Sequence, residues 1–394
     1  MGLLQGQLKF MTEYYDVIGI SSTGLDHSRS KEGIKDGIEE VPSDHTLEQA
    51  SVREGIRVIP IELTRKITPF QDLKSVWQLY KVLKSEKPLI VHSHTPKAGT
   101  IGMLAAFLAG VPHRLHTIAG MPLLEATGAK RLLLDLVEKI TYKCATRIYP
   151  NSFGLRDIII QKGYTTKSKV KVLGNGSSNG IDTTHFDPME YTEKESLELR
   201  QSLGIDKDDL VYLFVGRLVK DKGINELIEV FEKLNKELPK TKLVLVGPYE
   251  KDLDPLLPKT EEIIHKHPNI IFIGWRNDVR PYFAISDVLT FPSYREGFPN
   301  VVMQSGAMGL PSIVTDINGC NEIVVDNENG IIVPPKDVDK LYDAMKRIYV
   351  MSKDNQSFDP VNNRKLICDR YERKVIWKAI LCEYQSLEKD VNTD

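Results

Sequence analysis

Residues 290 to 311, TFPSYREGFPNVVMQSGAMGLP, pair a carboxylate with a helix start built to hold an anion. The apolar run Val288 to Phe291 stops at Pro292, and a polar turn presents Glu296 and Gly297. Pro299 then falls where a first helical residue belongs, and Gly309 and Pro311 close the helix. The first-turn amides, around Asn300 and Val301, have no partners inside the helix and carry the positive end of its dipole, which suits a phosphate. Gln304 lies one turn further in, about 6 Å along the axis. Glu296 and Gln304 therefore bracket the anion position, one reaching to each side of it, and a sugar nucleotide has that layout.

A second segment points the same way. The strand-like run Leu210 to Val215 ends in GRLVKDKG, placing Arg217 and Lys222 just before a helix that starts near Ile224. The dipole opposes cations at that position. A bound diphosphate would resolve the conflict, with Arg217 giving a planar bidentate contact and Lys222 a compact charge. The alternative is a solvated turn in which Asp221 neutralises Lys222; the Glu296 segment, following at a domain's distance, favours the diphosphate.

These segments, in this order and spacing, resemble the C-terminal half of glycosyltransferase family 4, retaining enzymes of the GT-B fold. The resemblance extends along nearly the whole chain, through HSHTPKAGTIGMLAAFLAGVPHRLHTIAG, YPNSFGLRDIII, LGNGSSNGIDTTHF, LVLVGPYE and FIGWRNDVRPYFAISDV, and is to members that build bacterial surface polysaccharides. It implies that Glu296, first acid of a Glu-x7-Glu motif, contacts the donor sugar and that position 304 contacts the ribose. Here that second position is Gln304, and exchanging charged for neutral hydrogen bonds there should weaken the donor by about five- to tenfold. The donor-binding set implied is Gly216, Arg217, Lys222, Gly297, Phe298, Asn300, Val301 and Gln304, with Gly6 as a turn amide for the leaving diphosphate. The catalytic set implied is Glu296, His94, Arg217 and Lys222, with no metal and no other cofactor.

Around these residues, short β-rich runs alternate with helical patterns, which means parallel sheet. The first set is Val17 to Ser21, Val58 to Glu62, Leu89 to Ser93, His113 to Thr117, Arg147 to Pro150 and Val170 to Leu173. The second is Leu210 to Val215, Lys242 to Val246, Ile270 to Ile273, Val288 to Phe291, Ser312 to Val314 and Gly330 to Val333. The fold class expected is α/β: two doubly wound, Rossmann-like domains of parallel sheet facing a crevice. Residues 1–183 form the acceptor domain and 184–371 the nucleotide-sugar domain. A helix in 372–394, with Trp377, Ile380, Leu381 and Tyr384 at helical spacing, is expected to cross back to the first domain. Family members open with a strand and a glycine turn, whereas MGLLQGQLKFM already reads as the turn and helix; an upstream first strand lost to a late start is the expectation.

Composition fits this reading. The 394 residues are 41% hydrophobic and 27% charged, as in ordinary soluble globular proteins, and the net charge of -2 speaks against a nucleic-acid footprint. Cys144, Cys320, Cys368 and Cys382 form no CxxC and suit a reducing cytosol. No signal peptide and no transmembrane-length apolar run are read.

Three histidines of the first domain bear on chemistry. VHSHTPK puts His94 at the carboxyl end of a strand, and the resemblance sets it by the reacting sugar; a locally satisfied cap is the alternative. His92, on the same side, reads as a core histidine, and His116 as a lining of the acceptor path. Asp252-Leu253-Asp254 mimics a metal-binding DxD but sits in a charged, proline-flanked loop, and is read as solvated. Gly128 to Arg147 reads as a helix with Leu132, Leu133, Leu136, Val137 and Ile140 apolar and Lys130, Arg131, Lys139, Lys143 and Arg147 basic. It suits either an anionic lipid surface or packing on the sheet.

The implied reaction moves a hexose or N-acetylhexosamine from a nucleotide sugar, read as UDP-linked, to an undecaprenyl-diphosphate-linked saccharide, with retention. The implied place is the cytoplasm, peripherally at the inner face of the plasma membrane. Two competing readings stand beside it: a sugar-nucleotide 2-epimerase of the same fold, which needs no acceptor, and a non-catalytic paralogue that binds nucleotide at most.

Overall fold

The computed structural model describes residues 2–22, 47–63, 68–121, 123, 127–250, 254–354 and 356–391. The described residues up to Gly180 together with those from Arg373 onward form one compact unit, and Ile181–Glu372 form another. In the first unit the order is α1 (Gln7–Met11), β1 (Ile18–Ser21), α2 (Leu47–Glu54), β2 (Arg57–Pro60), α3 (Pro69–Glu86), β3 (Ile90–His94), α4 (Pro96–Ala109), β4 (His113–Ile118), α5 (Gly128–Cys144), β5 (Arg147–Pro150) and α6 (Phe153–Gln161). The second unit contains α7 (Glu193–Ser202), β6 (Leu210–Val215), α8 (Ile224–Glu237), β7 (Thr241–Val246), α9 (Pro258–Lys266), β8 (Ile270–Gly274), α10 (Arg280–Ala284) and β9 (Val288–Phe291). It continues with α11 (Asn300–Ala307), β10 (Ser312–Thr315), α12 (Cys320–Ile323), β11 (Gly330–Val333), α13 (Val338–Lys353) and α14 (Pro360–Tyr371), after which α15 (Arg373–Val391) returns to the first unit.

The second unit is a doubly wound sheet in the order β11-β10-β9-β6-β7-β8, every pairing parallel. Its strands are apolar without alternation because helices cover both faces: all four residues of β9 and the first five of β6 are buried. α8 shows how one helix is held there. Ile224, Leu227, Ile228, Val230, Phe231 and Leu234 are all buried in the main core, and each such side chain contributes about 1.5–3 kcal/mol. The strand order reverses between β6 and β9, so the carboxyl ends of those two strands mark the switch point where such sheets bind ligands.

In the first unit β3-β4-β5 form one parallel group and β1-β2 another, with no ladder between the groups among the described residues. They share a core nonetheless, since Ile20 of β1 and Val91 of β3 pack in one cluster with Leu79, Leu83 and Ile101. Residues 2–11 supply a 3-10 turn (Gly2–Leu4) and α1. α15 completes the other face, where Ile376, Ile380, Leu381 and Leu387 pack with Met11, Leu115, Tyr149 and Leu173.

Three expectations need correction. Val170 to Leu173 makes no strand: only Val170 bridges to Ile148, and Leu173 turns into the α15 cluster instead. The basic helix stops at Cys144, because Arg147 already belongs to β5. Pro299 is the residue before α11 and not its first, its ψ of 112° being extended.

Candidate active site

Two loops meet at the switch point of the second unit. After β6, Lys220–Lys222 form a 3-10 turn and Gly223, at φ 70°, swings the chain into α8. A Cβ at Gly223 would lie 2.1 Å from the Pro292 carbonyl oxygen, so only glycine lets this turn rest against the end of β9. That contact brings Lys222 beside the loop after β9. Its ammonium lies 5.6 Å from the centre of the Phe291 ring and is ion-paired and hydrogen-bonded to the Glu296 carboxylate. The two side chains are only 14% and 15% exposed. The sequence alternative of an Asp221–Lys222 pair does not form; Asp221 takes Arg295, at 2.8 Å.

Glu296 is held from three further directions. Ser293 Oγ donates to its carboxylate at 2.8 Å, Thr315 Oγ1 donates to the Ser293 carbonyl, and Asn318 Nδ2 donates to the Glu296 carbonyl. Gly319, at φ 80°, closes the same turn: a Cβ there would stand 2.5 Å from the Gly297 carbonyl oxygen and 2.9 Å from the Phe298 Cα. Thr315, Asn318 and Gly319 were not singled out in the sequence, because Thr315 ends β10, the other two lie in the loop after it, and they reach the Glu296 turn only through the sheet. Cys320 is fully buried next door; burial, and then the Glu296 charge, push its thiol well above the usual range, so it is not reactive.

α11 then begins without a capping side chain and without an acid in its first turn, leaving its leading amides for an anion. Phe298 is buried and packs edge-on against Tyr371, with ring centres 5.3 Å apart, so its side chain anchors the loop and only its backbone can serve a ligand. Gln304 lies half-buried on the second turn of α11. Arg217 is paired with Glu250. Gly216 follows β6 directly, its amide donating to the Val246 carbonyl at 2.9 Å. Lys222, Glu296, Gly297 and the start of α11 are thus brought together. Asp252 and Leu253 lie outside the described residues; Asp254 accepts the Asp221 amide at 2.7 Å.

In the first unit His94 ends β3, its ring stacked on His92 with centres 4.4 Å apart and its Nδ1 buried without a hydrogen-bond partner. Thr95 follows in a left-handed conformation, φ 71°, a strained state for a β-branched residue. His92 is the core histidine expected, bonded to the Tyr384 hydroxyl of α15 and at 2.7 Å to that of Thr117. His116 departs from expectation. It is buried within β4, bonded at 3.0 Å to Ser93 Oγ, and packs so tightly on Gly99 that a Cβ there would lie 2.2 Å from the ring; it lines no path. Burial lowers all three, His94 to about 3 and His116 to about 4. Gly6 caps α1, and its amide donates to both oxygens of the buried Glu54 at 3.0 Å, so it is already engaged. Among the described residues no group of three or more His, Cys, Asp or Glu side chains is placed to hold a metal ion.

The chain is similar to known proteins in both units. Residues 195–363 match the model of the glycosyl transferases group 1, and residues 39–176 that of a glycosyl transferase 4-like domain. The capsular polysaccharide biosynthesis glycosyltransferase CapM of Staphylococcus aureus is 33% identical over 330 residues, spanning 84% of this chain and 85% of CapM. An Escherichia coli UDP-Gal:alpha-D-GlcNAc-diphosphoundecaprenol alpha-1,3-galactosyltransferase is 33% identical over 290 residues, 73% of each chain. The crystal structure of Anabaena HepE in complex with UDP superposes with a TM-score of 0.72 at 19% identity, covering 86% of this chain and 89% of HepE, which shows the shared GT-B fold. The chain therefore belongs to the group 1 glycosyl transferases, with a 4-like first domain, and is a hexosyltransferase.

Proposed function

We propose that the protein transfers a hexose or N-acetylhexosamine from a UDP-sugar to an undecaprenyl-diphosphate-linked saccharide, with retention at the anomeric carbon, in the synthesis of a bacterial surface polysaccharide. The observation that carries this reading is the convergence of Lys222 and Glu296 at the β6/β9 switch point, directly before the uncapped start of α11. The names and extended similarity of CapM and the galactosyltransferase support the acceptor class. In this reading the diphosphate lies among Arg217, Lys222 and the α11 amides, Gln304 takes the ribose, and Glu296 takes sugar hydroxyls. The bond from the anomeric carbon to the diphosphate breaks, the acceptor oxygen bonds to that carbon on the same face, and the acceptor proton passes to the departing phosphate oxygen. Arg217, Lys222 and the helix dipole stabilise the leaving charge without a metal.

The acceptor's lipid places the enzyme at a membrane surface, peripherally at the inner face of the plasma membrane. No helix among the described residues is long and apolar enough to cross one. α5 carries side chains suited to surface contact: Leu132, Leu133, Leu136 and Ile140 are 72%, 46%, 56% and 42% exposed, which supports the surface reading over close packing on the sheet. Lys139 and Lys143 share the helix, Arg131 is tied to Asp135 at 3.0 Å, and the Lys130 side chain lies outside the described residues. α3, which like α5 packs on α4, exposes Phe70, Leu73 and Trp77.

The test is incubation with labelled UDP-sugars and an undecaprenyl-diphosphate-linked N-acetylhexosamine, followed by separation of lipid products. A lipid-linked disaccharide made from one UDP-sugar is expected. An epimerised sugar nucleotide formed without acceptor, or UDP-sugar recovered intact throughout the panel, would overturn the proposal.

A further inference from the structure

The Lys222–Glu296 pair has a consequence for the reaction cycle that the contacts of a bound donor would hide. The ammonium read above as the diphosphate's is neutralised by Glu296, the carboxylate read as the sugar's. Both groups are largely withdrawn from solvent, Ser293 Oγ donates to the Glu296 carboxylate and Asn318 fixes the backbone carbonyl of the same residue, so the turn holds the carboxylate in place when Lys222 turns to another anion. A nucleoside diphosphate taking Lys222 therefore leaves a poorly solvated carboxylate with the Ser293 hydroxyl in place of an ammonium, which is costly unless further groups donate to it. Sugar hydroxyls of the complete donor are such donors. The leaving nucleoside diphosphate, once its sugar has gone, keeps only the ribose hydroxyls, which this reading places at Gln304 and not at Glu296.

We infer that Glu296 acts as an exchangeable counter-ion of Lys222, favouring the sugar-bearing nucleotide over the bare nucleoside diphosphate and driving product release after transfer. The inference rests on the donor reading above. It gives Glu296 a second role: it competes with the bare nucleoside diphosphate for one ammonium, and in the donor complex it does not. It predicts an unusual sign, because removing a negative charge that touches no part of UDP should tighten UDP binding. The isosteric Glu296→Gln keeps the shape of the turn and the Ser293 bond while removing the competitor.

UDP titration calorimetry on wild type, Glu296→Gln, Lys222→Gln and the double variant tests this, with stopped-flow displacement giving UDP dissociation rates. Expected are roughly tenfold tighter binding and slower UDP release in Glu296→Gln, weaker binding in Lys222→Gln, and loss of the Glu296→Gln gain once Lys222 is absent. UDP binding that depends on Lys222 but is unchanged or weakened by Glu296→Gln would overturn the counter-ion role and leave the donor site standing. Tightening by Glu296→Gln that persists in the double variant would also overturn it, since the gain would not come from Lys222. Absence of UDP binding, or binding indifferent to Lys222, would overturn both the counter-ion role and the donor site. Thermal unfolding of each variant separates lost binding from lost folding.

Discussion

Residue chemistry at this site turns on which partner each charge keeps. Arg217 is paired with Glu250, for which the proposed diphosphate would compete; Arg217→Ala should weaken UDP by about 2 kcal/mol, and unchanged affinity in calorimetry would place the diphosphate elsewhere. Gln304 makes a different prediction. The ribose does not react, so its contacts are equally strong in ground and transition states, and restoring a carboxylate with Gln304→Glu should lower the donor KM by about five- to tenfold with kcat nearly unchanged. Steady-state kinetics with a kcat change and a constant KM would refute the ribose assignment. Glu296, Lys222 and the α11 start were legible in sequence because each lies beside a strand end or a helix start, where local rules speak. Asn318 and Thr315 were not, since their side chains reach the Glu296 turn through sheet order, which no local spacing encodes.

At the scale of elements, β3 and β4 bury three imidazoles that the unfolded chain would leave in water. Their folded values lie below the ordinary 6.5, so they stay neutral while the unfolded state takes up protons. The stability they confer is complete above about pH 6.5 and is lost as pH falls toward 4 and 3, with a slope of up to about 1.4 kcal/mol per pH unit for each. Urea unfolding at pH 8, 6 and 5 should show this loss, and a midpoint that stays constant would contradict it. The turn locked by the loop before α12 invites a second test. Gly319→Ala is strained at its positive φ and must displace residues 297 and 298, so activity should fall at least tenfold and the melting temperature should drop as well; full activity would show that the lock does not position Glu296. Strands with two buried faces, such as β6 and β9, were read at their true limits because an uninterrupted apolar run has few other fates. Val170 to Leu173 looked similar but meets β5 in one bridge, at Val170, that does not extend into a ladder, and pairing decides a strand where composition cannot.

For the whole molecule, the exposed leucines of α5 predict binding to vesicles. Leu132→Ser with Leu136→Ser should reduce co-sedimentation with phosphatidylglycerol vesicles several-fold and leave UDP affinity intact, and equal sedimentation would remove α5 from any membrane face. The alternation of strands and helices made a two-unit parallel architecture readable, while the split of the first sheet into two groups depends on pairings that composition does not fix. α15 carries one more implication. Residues 181–372 make the second unit as one continuous stretch, but the first takes part of its core from the end of the chain. On the ribosome, the segment that emerges first must wait with Leu115, Tyr149 and Leu173 uncovered until Ile376, Ile380 and Leu381 have been synthesised. The later segment can close before that cluster does, so this part of the first unit matures out of the usual N-terminal-first order.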